Sequence, residues 1–144
     1  MATKNFVPRA AHEGTLGTAA KPWLAVACDR MEHVVAAGEI IQGGRAVFLD
    51  GAGSAFKADS GTPAEVKSIF GISLQAALLG ASVSIVVSGA VTDPAWSWVA
   101  GPIYCGTDGA LTQIVPTSGA ARRVAIAFNA TTLEVSLGET IVLT

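Results

Sequence analysis

From Trp23 onward, apolar residues fall in runs of four to seven, rich in Val, Ile, Phe and Ala and punctuated by Gly, Asp-Gly or Ser-Gly. Short runs bounded by turn signals predict an all-β chain. Strands are expected near 23–28, 33–36, 46–50, 55–58, 69–74, 83–91, 96–99, 102–105, 110–114, 123–129, 132–136 and 139–144. In Val83-Ser-Ile-Val-Val-Ser the alternation is explicit: Val83, Ile85 and Val87 share one face, Ser84 and Ser88 the other. No stretch of ten or more residues keeps a helical apolar stripe with caps at both ends. Thr62-Pro63-Ala64-Glu65 has the form of a capping box with Pro at the first helical position, so 63–68 is either a single helical turn or a plain loop.

The segment from Ser68 to Thr92 carries no charge and is long enough to span a bilayer. Its details point elsewhere. Gly71, Gly80, Gly89, four serines and Gln75 interrupt it, and its apolar residues cluster in two short β-branched runs. Two core strands joined by a turn account for it.

Residues 1–22 show neither period and mix Pro8, Pro22, Gly14 and Gly17 with charges, as an extended arm would. Phe6, Val7 and Leu16 would be poorly buried on the body, so the arm is either unstructured or docked on a neighbour. The rest, 23–144, reads as one domain. Sliding the chain by 56 positions pairs Val47-Phe48 with Ile103-Tyr104, Gly53 with Gly109, Phe70 with Ile126, Ile72 with Phe128 and Ile85 with Ile141. Two loosely similar halves, 37–91 and 92–144, are therefore expected to face each other as a β-sandwich or barrel, jelly-roll-like, because neither could cover its own apolar face alone.

With 144 residues, 51% apolar and 14% charged, the chain can bury a core without metals or crosslinks. A net charge of −2 and thinly spread Lys and Arg lack the footprint of a nucleic-acid binder. Cys28 and Cys105 stand far apart with no Cys-x-x-Cys, so two free thiols are expected, with one disulfide as the alternative. The first residues have no apolar run of a secretory signal, which points to synthesis in the cytoplasm.

Residues able to do acid–base work are few. His12-Glu13 lies in the arm, and Glu32-His33 opens a strand on which the two side chains diverge. Gly71-Ile-Ser-Leu-Gln lacks the closing glycine of a nucleophile elbow, and Gly51-Ala-Gly-Ser-Ala-Phe ends in Phe56 where a dinucleotide loop needs a third glycine. The isolated acids, such as Asp50 and Asp108, sit beside Gly or Pro as turn formers. No catalytic, metal or cofactor residue is expected, and a small esterase or lyase assembled from scattered residues is the weakest reading. Trp96 and Trp98, at i and i+2 of an expected strand, would stand side by side as core, as a protein anchor or as a sugar-stacking platform. Arg122-Arg123 reads as a solvated pair or as a contact for an acidic partner.

Several stretches resemble one family. Ala37-Gly-Glu-Ile-Ile-Gln-Gly-Gly-Arg-Ala-Val-Phe-Leu-Asp-Gly, Ala55-Phe-Lys-Ala-Asp-Ser-Gly and Ile69-Phe-Gly-Ile-Ser-Leu look like the capsid decoration, or cement, proteins of tailed bacteriophages. Trp96-Ser-Trp-Val-Ala-Gly-Pro-Ile-Tyr-Cys-Gly-Thr-Asp-Gly-Ala-Leu-Thr-Gln, Arg123-Val-Ala-Ile-Ala-Phe and Ile141-Val-Leu recur similarly in phage structural proteins. The resemblance covers about 34–144, and many decoration proteins are shorter, without a second half. It implies a non-enzymatic virion protein on the outside of the head, a dimer or trimer that bridges neighbouring major capsid proteins, without cofactor, nucleic acid or membrane. Its expected contacts are Phe6, Val7, Pro8, Arg9, Trp23, Trp96 and Trp98. The alternative is a tail or fibre module that recognises a host glycan or protein.

Overall fold

A computed structural model describes residues 30–144. Ten strands follow in order: β1 (Arg30–Ala36), β2 (Ala46–Leu49), β3 (Ala55–Lys57), β4 (Ile69–Ser73), β5 (Ser82–Thr92), β6 (Gly101–Cys105), β7 (Leu111–Thr112), β8 (Ala120–Ala127), β9 (Thr132–Val135) and β10 (Thr140–Val142). One short helix, α1 (Pro63–Lys67), precedes β4. All strand pairs are antiparallel, in a single curled sheet of order β3-β2-β4-β5-β9-β8-β6-β7, a half-barrel; β1 joins at β5 and β10 at β8.

The curl originates at β5. Gly89 is matched by both Arg30 and Val135, so β1 and β9 lie on opposite edges of β5. Ile85 and Val86 are matched by β1 and by β4, so β4 and β9 follow one another along the same edge. The long strand thus carries one arm of the sheet on its first half and the other on its second. The two arms face each other across the main core, which includes Ile72 and Val86 from the first arm and Ile103, Val124, Leu133 and Val135 from the second. A second core lies behind the first arm, where Val47, Val83 and Ile85 meet Ala37, Ile41 and Ala77. The uncharged segment 68–92 is therefore two strands and a turn, with Val83, Ile85 and Val87 on one face; among the described residues no helix is long and apolar enough to cross a membrane.

The strand order reads the same from either edge, β3-β2-β4-β5 against β7-β6-β8-β9, and the repeat extends to an irregularity. β2 shifts register against β4 between Val47 and Phe48; β6 shifts against β8 between Ile103 and Tyr104, 56 positions on. Phe48 then pairs with Ile69 as Tyr104 pairs with Arg123. Gly53 and Gly109, aligned by the same shift, both adopt a positive φ. The shift of 56 matches β2 to β6 and β3 to β7 but slips by two at β8, because the link from the short strand to the long one is tighter in the second half.

Three local expectations change. The helical turn forms, but Thr62 makes no side-chain cap; Glu65 accepts instead from the Asp59 N–H at 3.0 Å, fastening α1 to the preceding turn. Residues 96–99 are not a strand. Asp93 opens an Asx turn through Pro94, accepting from the Ala95 N–H at 2.9 Å, and Gln113 takes both backbone groups of Val99 that a neighbouring strand would have used. The strand expected at 110–114 contracts to Leu111–Thr112, and that at 23–28 lies outside the described residues.

Candidate functional site

The two arms of the sheet do not pack through equivalent faces. In the first, Ala46, Phe48, Ile69 and Ile72 turn toward the main core. Their register equivalents in the second are Pro102, Tyr104, Arg123 and Ile126, and these line an open groove of ≈ 600 Å³ on the outside of the half-barrel. The second arm buries its other face, with Ile103 and Cys105, which corresponds to Val47 and Leu49 behind the first arm. A face equivalent to one that is covered in the first half therefore lies uncovered in the second. Val115 and Ile141 wall the groove, and Arg123 and Glu139 are its charged groups; neither forms an ion pair among the described residues.

Further exposed apolar residues lie just outside the strands of the second arm. Val99 is held to Gln113, the chain neighbour of Ile114, by two hydrogen bonds, and Phe128 follows Ala127, which pairs with Gly101. Val99, Ile114 and Phe128 are 74%, 79% and 61% exposed.

Trp96 and Trp98 come together as expected, though from a loop. Their ring centroids are 6.1 Å apart with planes tilted by 58°. Both are half-buried against the main core, and the Trp98 indole N–H is buried with no acceptor. Trp96 packs over Gly44, whose positive φ of 71° strains any other residue; a Cβ at that position would meet the indole at 3.2 Å, closer than ordinary contact. The pair closes one side of the core and also lines an open cavity of ≈ 300 Å³, together with Gly43, Arg45, Ala110 and Leu111.

His33 is exposed on β1 and packs edge to face with Phe70, with centroids 5.4 Å apart. Asp59 caps turns, accepting from Gly61 and Asp108 N–H groups at 2.7 and 3.1 Å, and so ties the two halves together. The Lys57 ammonium, 2.7 Å from the Asp108 carboxylate, and the hydrogen bond it donates hold that carboxyl below its usual range. Among the described residues no three His, Cys, Asp or Glu gather as a metal site. Phe6, Val7, Pro8, Arg9, Trp23, His12 and Cys28 lie outside the described residues.

Cys105 is buried and free, its thiol facing the Ala58 and Gly106 carbonyls at 3.6 and 3.3 Å. Burial, then the nearby Asp59 and Glu65 carboxylates, push it up to about 12. The native thiol is expected to resist iodoacetamide at pH 8 and to react only on unfolding. Since the folded state holds this proton more tightly, stability is intact below the unfolded value near 9 and falls as pH rises toward 12, by up to about 1.4 kcal/mol per unit. Urea titrations above pH 9 should show that slope, and Cys105→Ala should remove it.

No protein-family model and no curated protein matches the chain.

Proposed function

We propose that this protein is a structural component of a phage virion, a cement subunit that binds the outer surface of the head and bridges neighbouring major capsid proteins. The observation that carries an interaction role is the uncovered apolar face of β6 and β8, together with the exposed Val99, Ile114 and Phe128 in the segments that flank these strands. The resemblance of residues 34–144 to decoration proteins supports the capsid as partner. Such a subunit works by repetition: a modest contact made at many symmetry-related positions stabilises a lattice without any one strong bond. A tail or fibre module that stacks a sugar on Trp96 and Trp98, which line the smaller cavity, is the second reading, and glycan binding lost on Trp98→Ala would favour it.

The experiment compares heads prepared with and without the protein under heat or osmotic shock. Heads that carry it are expected to retain DNA under conditions that rupture bare heads, and Ile114→Asp should abolish attachment without unfolding the chain, since Ile114 is almost wholly exposed. Equal survival removes the proposal.

A further inference from the structure

We infer that the groove on β6 and β8 receives the N-terminal segment of a second copy of this chain, with Phe6, Val7 and Pro8 on its apolar floor and Arg9 and Glu13 facing Glu139 and Arg123. This concerns contacts between copies and needs no shell, so it can fail while the cement reading stands, and the reverse.

The first argument is register. Pro102, Tyr104, Arg123 and Ile126 occupy the positions that the first half covers with the second. Among the described residues no unit covers them, and packing one type of face on another leaves an unlike face open, the geometry of heterologous association. The walls formed by Val115 and Ile141 leave a groove, suited to an extended segment and not to another sheet.

The second argument is reach. Arg30 is matched to Gly89, Gly89 to Val135, Val135 to Ala125 and Ala125 to Ile103. Four strand spacings, roughly 19 Å, therefore separate the point where residues 1–29 join the body from the strands of the groove. About six extended residues would cross that path. Arg9 precedes Arg30 by enough residues to span roughly 70 Å, about twice the breadth of a body this size. The segment is long enough to reach a neighbour's groove.

The third argument is charge. Arg123 and Glu139 both lack ionic partners among the described residues, in a groove otherwise apolar. The segment offers the complement in a short space: Phe6-Val7-Pro8, then Arg9, then Glu13. Proline in the apolar stretch favours the extended backbone a groove of this shape accepts.

Sedimentation of the full chain across a wide range of concentration tests the inference. A dimer or closed ring is expected. Phe6→Asp with Val7→Asp in the segment, and separately Ile141→Lys in the groove, should each raise its dissociation constant by about tenfold or more. Ile141 is 62% exposed, so its replacement leaves the fold intact, which circular dichroism checks. Glu139→Arg should weaken association and Arg9→Glu, added to it, should restore it. A full chain that stays monomeric, including one whose first residues are protected from protease in its own groove, overturns the inference. So does an oligomer that both variants leave unchanged, which would place the contact between other surfaces.

Discussion

A Gly71→Ala chain is expected to lose about 3 kcal/mol or more of folding free energy and to melt roughly 10 °C lower. Gly71 is buried in β4, opposite Val47. A Cβ at this position would overlap the Val86 carbonyl oxygen and come within 2.8 Å of Ile85 Cγ2. β5 cannot retreat from it. β1 is paired along its other edge from Arg30 to Ala36, and Ile85 and Val86 belong to the two separate cores, so a shift of β5 would disturb both. Its φ is not positive, so the cost is one of space and not of backbone conformation. Gly51→Ala is the control. No atom lies within 4 Å of a Cβ placed there, and the turn is exposed, so its midpoint in urea should stay within about 0.5 kcal/mol of the parent. Comparable losses from the two substitutions would mean that β4 and β5 are not in close contact.

The strands were legible because their signals are local. Val83-Ser-Ile-Val-Val-Ser fixes its own two faces, and Asp50-Gly51 and Asp108-Gly109 mark turns by backbone chemistry alone. The repeat was legible in part: the shift of 56 aligns Val47-Phe48 with Ile103-Tyr104, where both register irregularities fall. It misplaces Phe70 against Ile126 and Ile72 against Phe128 by two, and sets Ile85 of β5 against Ile141 of β10, whereas β9 holds the place equivalent to β5. What failed was local too, but was decided by competition. Trp96-Ser-Trp-Val alternates like a strand, yet the Asp93 carbonyl takes the Trp96 N–H and the Gln113 amide takes both backbone groups of Val99. The groove was not legible at all. Nothing in Pro102, Tyr104 or Ile126 says that their face lies outside while that of Ala46 and Phe48 lies inside; that choice is made by β5, whose single edge holds both arms of the sheet. At the shift of 56 Arg123 falls on Lys67, so comparing the halves would not have raised the question; the equivalence of Arg123 with Ile69 appears only in the strand register.

Neighbouring arginines are expected to respond with opposite sign. Arg122→Met should destabilise the protein by about 2–3 kcal/mol, whereas Arg123→Met should be neutral or mildly stabilising. Both are measured in chains carrying Phe6→Asp and Val7→Asp, which remove the inter-copy contact inferred for Arg123. Arg122 sends its Nε–H to the Gly138 carbonyl at 2.9 Å, and its Nη1 lies 3.0, 3.0 and 3.2 Å from the carbonyls of Val66, Lys67 and Ile69. One guanidinium thus joins the end of α1 and the start of β4 to β8 and the turn before β10, and helix-terminal carbonyls are groups in need of a donor. Removing it leaves several carbonyls with fewer partners at once. Burial lowers its pKa, yet the group keeps its charge at any ordinary pH, so the loss should not depend on pH between 5 and 9. Arg122→Lys should recover only part of the stability, because a single ammonium cannot reproduce the forked geometry. Arg123 has no such set. Its Nε is buried without an acceptor, so methionine would remove an unsatisfied donor while keeping much of the packing against the sheet. Urea denaturation of the two arginine variants measures both effects, and hydrogen exchange at the amides of 66–69 should accelerate in Arg122→Met alone. If the two substitutions cost the same, the contacts of Arg122 with Val66, Lys67 and Ile69 do not persist in solution.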